Sequence, residues 1–178
     1  MSRWRPGDRQ PDRASMVRVD QAGEYGATRI YAGQLAVLPP NCAEGKLIAR
    51  MAAQEERHLK RFNALMAARQ VRPTALQPLW NIAGFALGAA TALMSEKAAL
   101  ACTDAVETEI DKHYASQLEQ LGGDDPELAS DIAEFQAEEL EHRDTARAAG
   151  AANAVGYPLL TAAIRAGCRV AIALSKRI

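Results

Sequence analysis

The sequence of 178 residues has few of the features that mark nucleic-acid-binding or β-rich proteins. Aromatic residues make up only 5% of it, strand-type alternation of apolar and polar residues is hard to find, and alanine is abundant. The net charge of −1 gives no electrostatic basis for binding nucleic acid. The composition therefore favours an all-α protein that does not have a nucleic acid as its main partner.

Cysteine is also scarce. Cys42, Cys102 and Cys168 are widely spaced, and no Cys-x-x-Cys pair occurs. This pattern argues against a disulfide framework or a cysteine-ligated metal site and favours a reducing, cytosolic setting. Residues 1–13 are rich in Arg, Asp and Pro and have no apolar core like that of a signal peptide. We predict a flexible arm over 1–13 and a single helical domain over 14–178.

The most informative pattern present is a repeated pair of metal-binding residue types. Glu55 stands three residues before His58, and Glu139 stands three residues before His142. Residues at i and i+3 lie on the same face of a helix, so each carboxylate and imidazole can converge on one cation. A repeated Glu-x-x-His is typical of helical bundles that hold two carboxylate-bridged iron or manganese ions.

Such a site needs two more acids on partner helices, and the sequence offers one at a matching distance in each half. Glu24 lies 31 residues before Glu55, and Glu107 lies 32 residues before Glu139. Each is followed, after six residues, by the pattern Tyr-Ala-x-Gln-Leu, which begins at Tyr31 and at Tyr114. The chain therefore contains an internal repeat of a helical hairpin. We predict that two such hairpins form a four-helix bundle around these six side chains.

Neighbouring acids compete with some of the predicted ligands. Glu56 stands two residues before His58, which places it about 200° around the helix and off the ligand face. The repeat favours Glu139 over Glu138 and Glu107 over Glu109. The alternative for any single Glu-x-x-His is a solvated helix face without a metal.

Breaking and capping residues predict the limits of the helices. We expect bundle helices over about Ser15–Leu38, Ala43–Arg69, Ser95–Leu121 and Pro126–Ala149. Ser15 and Ser95 are the expected caps of the first and third, and Arg72-Pro73 is expected to close the second. Pro126 suits a first helical turn.

Two additional apolar helices are expected, over about Leu79–Met94 and Tyr157–Ile178. The first is too short to span a membrane comfortably and is either a buried core helix or a helix facing a membrane or a second copy of the chain. The second has a basic stripe of Arg165, Arg169 and Lys176, which suits a helix lying in a membrane interface. The alternative is a core-packing helix whose arginines reach solvent.

With these residues identified, the chain resembles the demethoxyubiquinone hydroxylases of bacteria and mitochondria. The resemblance covers nearly everything after the N-terminal arm. The stretches that carry it are RVDQAGEYGA at 18–27, IYAGQ at 30–34, QEERHL at 54–59, AVE at 105–107, EELEH at 138–142 and AGCRVAI at 166–172.

The resemblance implies a ferritin-like fold, a di-iron centre with two Fe ions per chain, and peripheral attachment to the membrane. The implied location is the cytoplasmic side of a bacterial inner membrane, or the matrix side of the mitochondrial inner membrane. The implied ligands are the six already reached from the repeat: Glu24, Glu55, His58, Glu107, Glu139 and His142. The family often has His-His-Tyr where this chain has Lys112-His113-Tyr114.

The expected activity is hydroxylation of the ring of demethoxyubiquinol with O2, a polyprenyl quinol as substrate and electrons from an external donor. No Gly-x-Gly-x-x-Gly fingerprint follows a predicted strand, so the chain is not expected to carry its own dinucleotide domain. Tyr31, His113 and Tyr114 are candidate residues around the ligands or the substrate. The alternatives are another ferritin-like di-iron oxygenase, an iron-storage protein, and a structural helical bundle or membrane adaptor.

Overall fold

Six α-helices and one 3-10 turn form the computed structural model, which describes residues 12–177 and has no β-strand in that range. The all-α prediction is therefore confirmed. The helices are α1 (Arg13–Leu35), α2 (Ala43–Arg69), α3 (Gln77–Met94), α4 (Glu96–Leu121), α5 (Pro126–Ala148) and α6 (Tyr157–Ser175), with the 3-10 turn at Ala151–Asn153.

The first helix begins earlier than the sequence predicts. Asp12, not Ser15, is its cap, because the Asp12 carboxylate accepts a hydrogen bond from the Ser15 backbone N–H at 3.0 Å. The helix also ends at Leu35 instead of Leu38. Of the predicted arm over 1–13, residues 1–11 lie outside the described range, whereas Arg13 is helical.

The other helix limits lie close to the predicted ones. Ser95 caps α4 by accepting from the Ala98 N–H, and Pro126 occupies the first turn of α5. The end of α2 differs, because Gln70 adopts the left-handed conformation there, two residues before Arg72-Pro73. The last helix stops at Ser175, not at Ile178.

The internal repeat extends to a third helix in each half. Helices α1 and α2 pack as one hairpin, and α4 and α5 pack as the other. Helix α3 then packs back along α1, and α6 packs back along α4. Each half is therefore a hairpin followed by an apolar helix that covers the first helix of that hairpin.

The buried apolar residues of the described range form three clusters, and two of them lie at opposite ends of the bundle. One cluster includes Val17, Phe62, Leu128 and Ile132, and the other includes Ile48, Met51, Leu100 and Ala146. Along every bundle helix, the predicted ligand lies between a residue of the first cluster and a residue of the second. The polar centre of the bundle is thus closed at both ends by apolar packing.

Helices α1 and α3 approach each other so closely that glycine is required at their contact. A Cβ added to Gly88 would lie 1.9 Å from the Ile30 carbonyl oxygen, and one added to Gly33 would lie 2.1 Å from the Phe85 carbonyl oxygen. This contact fixes α3 on the outer side of α1.

Most large side chains of α3 face outward, so of the two alternatives for this helix, the buried core helix is wrong. Leu79, Ile82 and Leu93 are 51%, 71% and 74% exposed. Helix α6 likewise exposes Leu159, Val170 and Leu174. Among the described residues, α6 is the one helix that is long and apolar enough to cross a membrane by length and composition. Its packing along α4 places it on the bundle surface.

The close contact between α1 and α3 predicts a strong position dependence for Gly→Ala changes. We expect Gly88→Ala to lower the free energy of unfolding by about 1–3 kcal/mol, because the two helices must separate to admit the methyl group. Gly26→Ala on α1 is the matched control. A Cβ at Gly26 meets nothing within 4 Å, so this change should be neutral or stabilising by up to about 1 kcal/mol. Urea unfolding followed by circular dichroism would measure both, and equal effects would contradict the proposed contact.

Candidate metal centre

The structure brings all six predicted ligand side chains together in the middle of the bundle. Each is at most 3% exposed. One acid comes from α1, one from α4, and a Glu-x-x-His pair from each of α2 and α5. These six side chains, which we call the acid–histidine cluster, are Glu24, Glu55, His58, Glu107, Glu139 and His142.

The acid–histidine cluster divides into two overlapping groups of four. The first contains Glu24 and His58, and the second contains Glu107 and His142; Glu55 and Glu139 belong to both. Within each group, one ligand-type atom from every residue lies within 4.8 Å of the others. Such an arrangement could hold two neighbouring cations, one in each group, with Glu55 and Glu139 within reach of both.

Each histidine is oriented by a residue from the opposite hairpin. His58 Nε2 lies 2.7 Å from Glu138 Oε2, and His142 Nε2 lies 2.9 Å from Gln54 Oε1. A carboxylate oxygen only accepts, so His58 carries its hydrogen on Nε2 when neutral. Its Nδ1 lone pair then points into the cluster, 3.0 Å from Glu139 Oε1 and 3.3 Å from Glu24 Oε2. This is the usual arrangement of a metal-binding imidazole.

The two repeated tyrosines form the corresponding cross-links for the acids of α1 and α4. Tyr31 donates its hydroxyl hydrogen to Glu107 Oε1 at 2.9 Å. Tyr114 donates to Glu24 Oε1 from the other half. Burial, with the charge of the nearby glutamates, raises the pKa of both tyrosines, so both hydroxyls remain protonated donors. Each tyrosine therefore holds the acid of the opposite repeat in place.

Crowding of carboxylates perturbs their protonation. Burial and the charge of Glu139 raise the pKa of Glu55 and that of Glu107 well above their ordinary value. Burial also opposes ionisation of Glu139, but contacts with His142 and His58 outweigh it and lower the pKa of Glu139 to about 2. Burial lowers the pKa of His58, yet contacts with Glu139 and Glu24 raise it to about 10. Protons retained on Glu55, Glu107 and His58 thus reduce the negative charge of the cluster.

The donor set fits two divalent cations. Four buried atoms of the cluster make no hydrogen bond of good geometry, although an imidazole Nδ1 lies within 3.3 Å of each of the three oxygens: Glu24 Oε2, Glu55 Oε1, His58 Nδ1 and Glu139 Oε1. Buried polar atoms are rarely left in this condition without a ligand. The four carboxylates can together carry a charge of −4, which two divalent cations balance. Carboxylate oxygens with imidazole nitrogens suit iron or manganese.

The competing residues point elsewhere. Glu56 is exposed, and Glu138 binds His58 and Arg57 outside the cluster. Glu109 accepts a hydrogen bond from Arg165 Nε at 2.7 Å and so ties α4 to α6. Lys112 is exposed and lies 3.2 Å from the same Glu109 oxygen, so it faces away from the interior that His113 occupies.

A large apolar cavity of about 520 Å³ adjoins the cluster. It lies between α1 and α4 on one side and α3 and α6 on the other. Its few polar lining groups include Asp20, His113 and Tyr114. Gly23 and Gly26 also line it, and Cβ atoms added there meet at most one side-chain atom, Ile110 Cδ1 at 3.6 Å from Gly23. The lack of side chains at these two glycines therefore enlarges the cavity, and close helix packing does not require it.

Sequence reasoning missed two groups of residues. Gln54 and Glu138 occupy equivalent positions, one residue before each repeated Glu, and alignment of the two halves could have indicated their shared role. Asp20 and Gln117 form a buried hydrogen bond of 2.8 Å beside the cavity. No spacing signal in the sequence marks that pair.

The chain matches the family model described as ubiquinone biosynthesis protein COQ7 over residues 12–175. It is 53% identical over 177 residues to the 3-demethoxyubiquinol 3-hydroxylase of Rhodospirillum rubrum, covering 97% of this chain and 82% of that protein. It is 54% identical over 166 residues to the mitochondrial NADPH-dependent 3-demethoxyubiquinone 3-hydroxylase of Mus musculus, covering 91% of this chain and 76% of the relative.

The protonation pattern predicts that the chelator-treated chain loses stability as pH rises from about 5 to about 9. Glu55 and Glu107 have raised pKa values in the folded state, so they retain protons that the unfolded chain releases above its ordinary value of 4.5. His58, raised from 6.5 to about 10, acts in the same direction over the upper part of this range. Glu139, with its lowered pKa, contributes a constant amount above pH 4.5.

Urea unfolding at several pH values measures this slope. Glu55→Gln should make it shallower, since the amide has no proton to retain. Added Mn2+ should reverse the trend, because a cation replaces the protons and binds more tightly at high pH. A stability that is flat or rises with pH in the chelator-treated chain would contradict the assigned directions.

Proposed function

The chain belongs to the COQ7 family of ubiquinone biosynthesis proteins, and from this premise we propose that it hydroxylates the ring of demethoxyubiquinol at a di-iron centre. The observation that carries the proposal is the adjacency of two sites. A cluster of four carboxylates and two imidazoles lies behind the wall of a cavity that is large, apolar and lined by few polar groups. Tyr114 links the cavity to the cluster, since it lines the cavity and donates a hydrogen bond to Glu24.

We assign the metal ligands from the two overlapping groups of four. Glu24 and His58 would serve one iron, Glu107 and His142 would serve the other, and Glu55 and Glu139 would bridge them. When bound, two ferrous ions supply the reducing power and open coordination positions that O2 chemistry requires. Glu138 and Gln54 keep the imidazoles in the orientation that directs Nδ1 to the metal.

The reaction adds one oxygen atom of O2 to a ring C–H bond and releases the other as water. Its balance needs two electrons and two protons from an external donor. The role of the protein is to hold the ring beside the cluster and to exclude water, and apolar walls on four helices do both. Tyr114 keeps its proton and holds Glu24 against the cluster, while His113 closes the polar corner of the cavity by its contact with Asp20, at 3.1 Å.

We also propose that the chain binds a membrane surface through α3 and α6. Both helices line the cavity, and a 3.1 Å hydrogen bond from Trp80 Nε1 to Ser175 Oγ joins the start of α3 to the end of α6. Both expose large apolar side chains, and Arg169 is exposed beside them. A polyprenyl quinol dissolved in the bilayer could then enter the cavity between these helices. The corresponding site of action is the cytoplasmic face of a bacterial inner membrane, or the matrix face in mitochondria.

The metal assignment predicts the effect of removing one bridging ligand. The wild-type chain, reconstituted anaerobically with Fe(II), should hold two irons and convert demethoxyubiquinol to the hydroxylated product. Glu139→Ala should lower the rate by at least about a hundredfold, since even residues that only orient ligands are worth about 10–100-fold. Glu141→Ala, an exposed position on the same helix, should retain iron and activity. Iron analysis and product chromatography measure both, and a fully active Glu139→Ala chain would refute the assignment.

The membrane proposal predicts that one charge on the apolar surface of α3 weakens lipid binding. Ile82→Asp should reduce co-sedimentation with phosphatidylglycerol vesicles about tenfold, because burial of a large aliphatic side chain contributes about 1.5–3 kcal/mol. Ala53→Asp adds the same charge at an exposed position of α2 and should leave binding unchanged. Equal binding by both variants would contradict the proposal. So would a wild-type chain that ignores vesicles and instead forms a concentration-dependent dimer through this surface.

A further inference from the structure

We infer that Asp20 accepts a hydrogen bond from a ring hydroxyl of the substrate and so makes the cavity selective for the reduced, hydroquinone form of the ring. The inference rests on the proposed function, because it takes the cavity to be the place where the ring binds. Asp20 would select the redox state of the substrate and fix the position of the ring.

The carboxylate of Asp20 is buried but only half satisfied. Its side chain lines the cavity and the residue is 2% exposed. Oδ1 accepts from Gln117 Nε2 at 2.8 Å and lies 3.1 Å from His113 Nε2. Oδ2 is buried and has no hydrogen-bond partner. A buried carboxylate oxygen without a donor is costly, so a ligand with a suitably placed O–H gains affinity from this position.

Comparison of the two halves shows that this carboxylate is not part of the repeated framework. Asp20 stands four residues before Glu24, and the residue four before Glu107 is Thr103, which has no charge. Gln34, the repeat equivalent of Gln117, donates to the backbone carbonyl of Ala99 instead of to a side chain. An acid with its own amide donor is therefore present in only one half of the repeat, and it lines the cavity in that half.

The chemistry of the ring explains why an acid at this position discriminates between redox states. A hydroquinone presents two O–H donors, whereas a quinone presents only carbonyl acceptors. An ionised carboxylate attracts the first and repels the second. Burial raises the pKa of Asp20 above its ordinary value, and the contacts of Oδ1 with His113 and Gln117 oppose that rise by favouring the ionised form.

The location of Asp20 also suits the reaction. Asp20 and Glu24 are one turn apart on the same face of α1, with a rise of about 6 Å between them. A ring whose hydroxyl is held at Asp20 therefore lies against Tyr114 and the Glu24 side of the acid–histidine cluster.

Binding of the two ring forms tests the inference directly. A short-tailed demethoxyubiquinol and its quinone would be equilibrated anaerobically with the iron-loaded protein by dialysis, with absorbance reporting both the amount and the redox state of each ligand. We expect Asp20→Asn to weaken binding of the hydroquinone about tenfold to a hundredfold, the usual worth of a hydrogen bond to a charged group. Binding of the quinone should change less than about threefold or become tighter, because the new amide can donate to a carbonyl.

Leu160→Ala, in the apolar wall, is the matched control and should weaken both ring forms by the same factor. An equal loss of both forms in Asp20→Asn would overturn the inference, as would a wild-type chain that binds the quinone more tightly than the hydroquinone. If neither form binds the wild-type chain, the proposed function itself fails, which is a separate result.

The wild-type chain alone provides a second measurement if Asp20→Asn does not fold. The 1,4-dimethyl ether of the same hydroquinone has no O–H donor. We expect it to bind at least about tenfold more weakly than the hydroquinone. A dimethyl ether that binds as tightly as the hydroquinone would show that no ring hydroxyl is recognised.

Discussion

Four carboxylates buried at one point impose the constraint on which the rest of this structure depends. Mutual repulsion and the loss of hydration would disfavour such a cluster in any bundle that lacked compensating charge. Imidazoles from both hairpins and two tyrosine hydroxyls offset part of this unfavourable free energy, yet four cluster atoms still make no hydrogen bond of good geometry. Apolar packing at both ends of the bundle then keeps water from relieving the charge. The same features that make the cluster unfavourable alone make it a strong binding site for cations.

The repeated hairpins depend on each other for the geometry of the cluster. Tyr31 of the first half holds Glu107 of the second, and Tyr114 of the second holds Glu24 of the first. The histidines follow the same rule, because each imidazole is oriented from the opposite hairpin through Glu138 or Gln54. A single hairpin would supply both carboxylate and imidazole ligands. Each ligand would then lack the residue of the opposite hairpin that holds it in place. The site is therefore a product of the packing of the two halves, and it cannot form until they meet.

The sequence predicted the helices, their approximate limits and the convergence of the six side chains, because all three depend on local spacing. Spacing within a helix determines its faces, and an internal repeat determines which faces meet. What depended on tertiary contact was harder to predict. For helix α3, the sequence allows both a position in the core and one on the surface, because an apolar run has the same composition in either place. The cap of α1 is Asp12 and not Ser15. Both residue types are good caps, and only the backbone conformation decides between them. The contact between Asp20 and Gln117 joins residues 97 positions apart, beyond any spacing rule.

The polar lining of the cavity breaks the symmetry of the repeat. Both halves contribute a helix that covers the bundle, but three polar residues that line the cavity, Asp20, His113 and Tyr114, lie on the Glu24 side of the cluster. The Glu107 side is covered by Tyr31 and the alanine-rich packing of α4. Under the proposed function, a ring held at Asp20 would therefore approach the group of Glu24, Glu55, His58 and Glu139 through Tyr114. Two metal positions built from one repeated pattern would then have unequal tasks, with the position nearer Glu24 facing the ring.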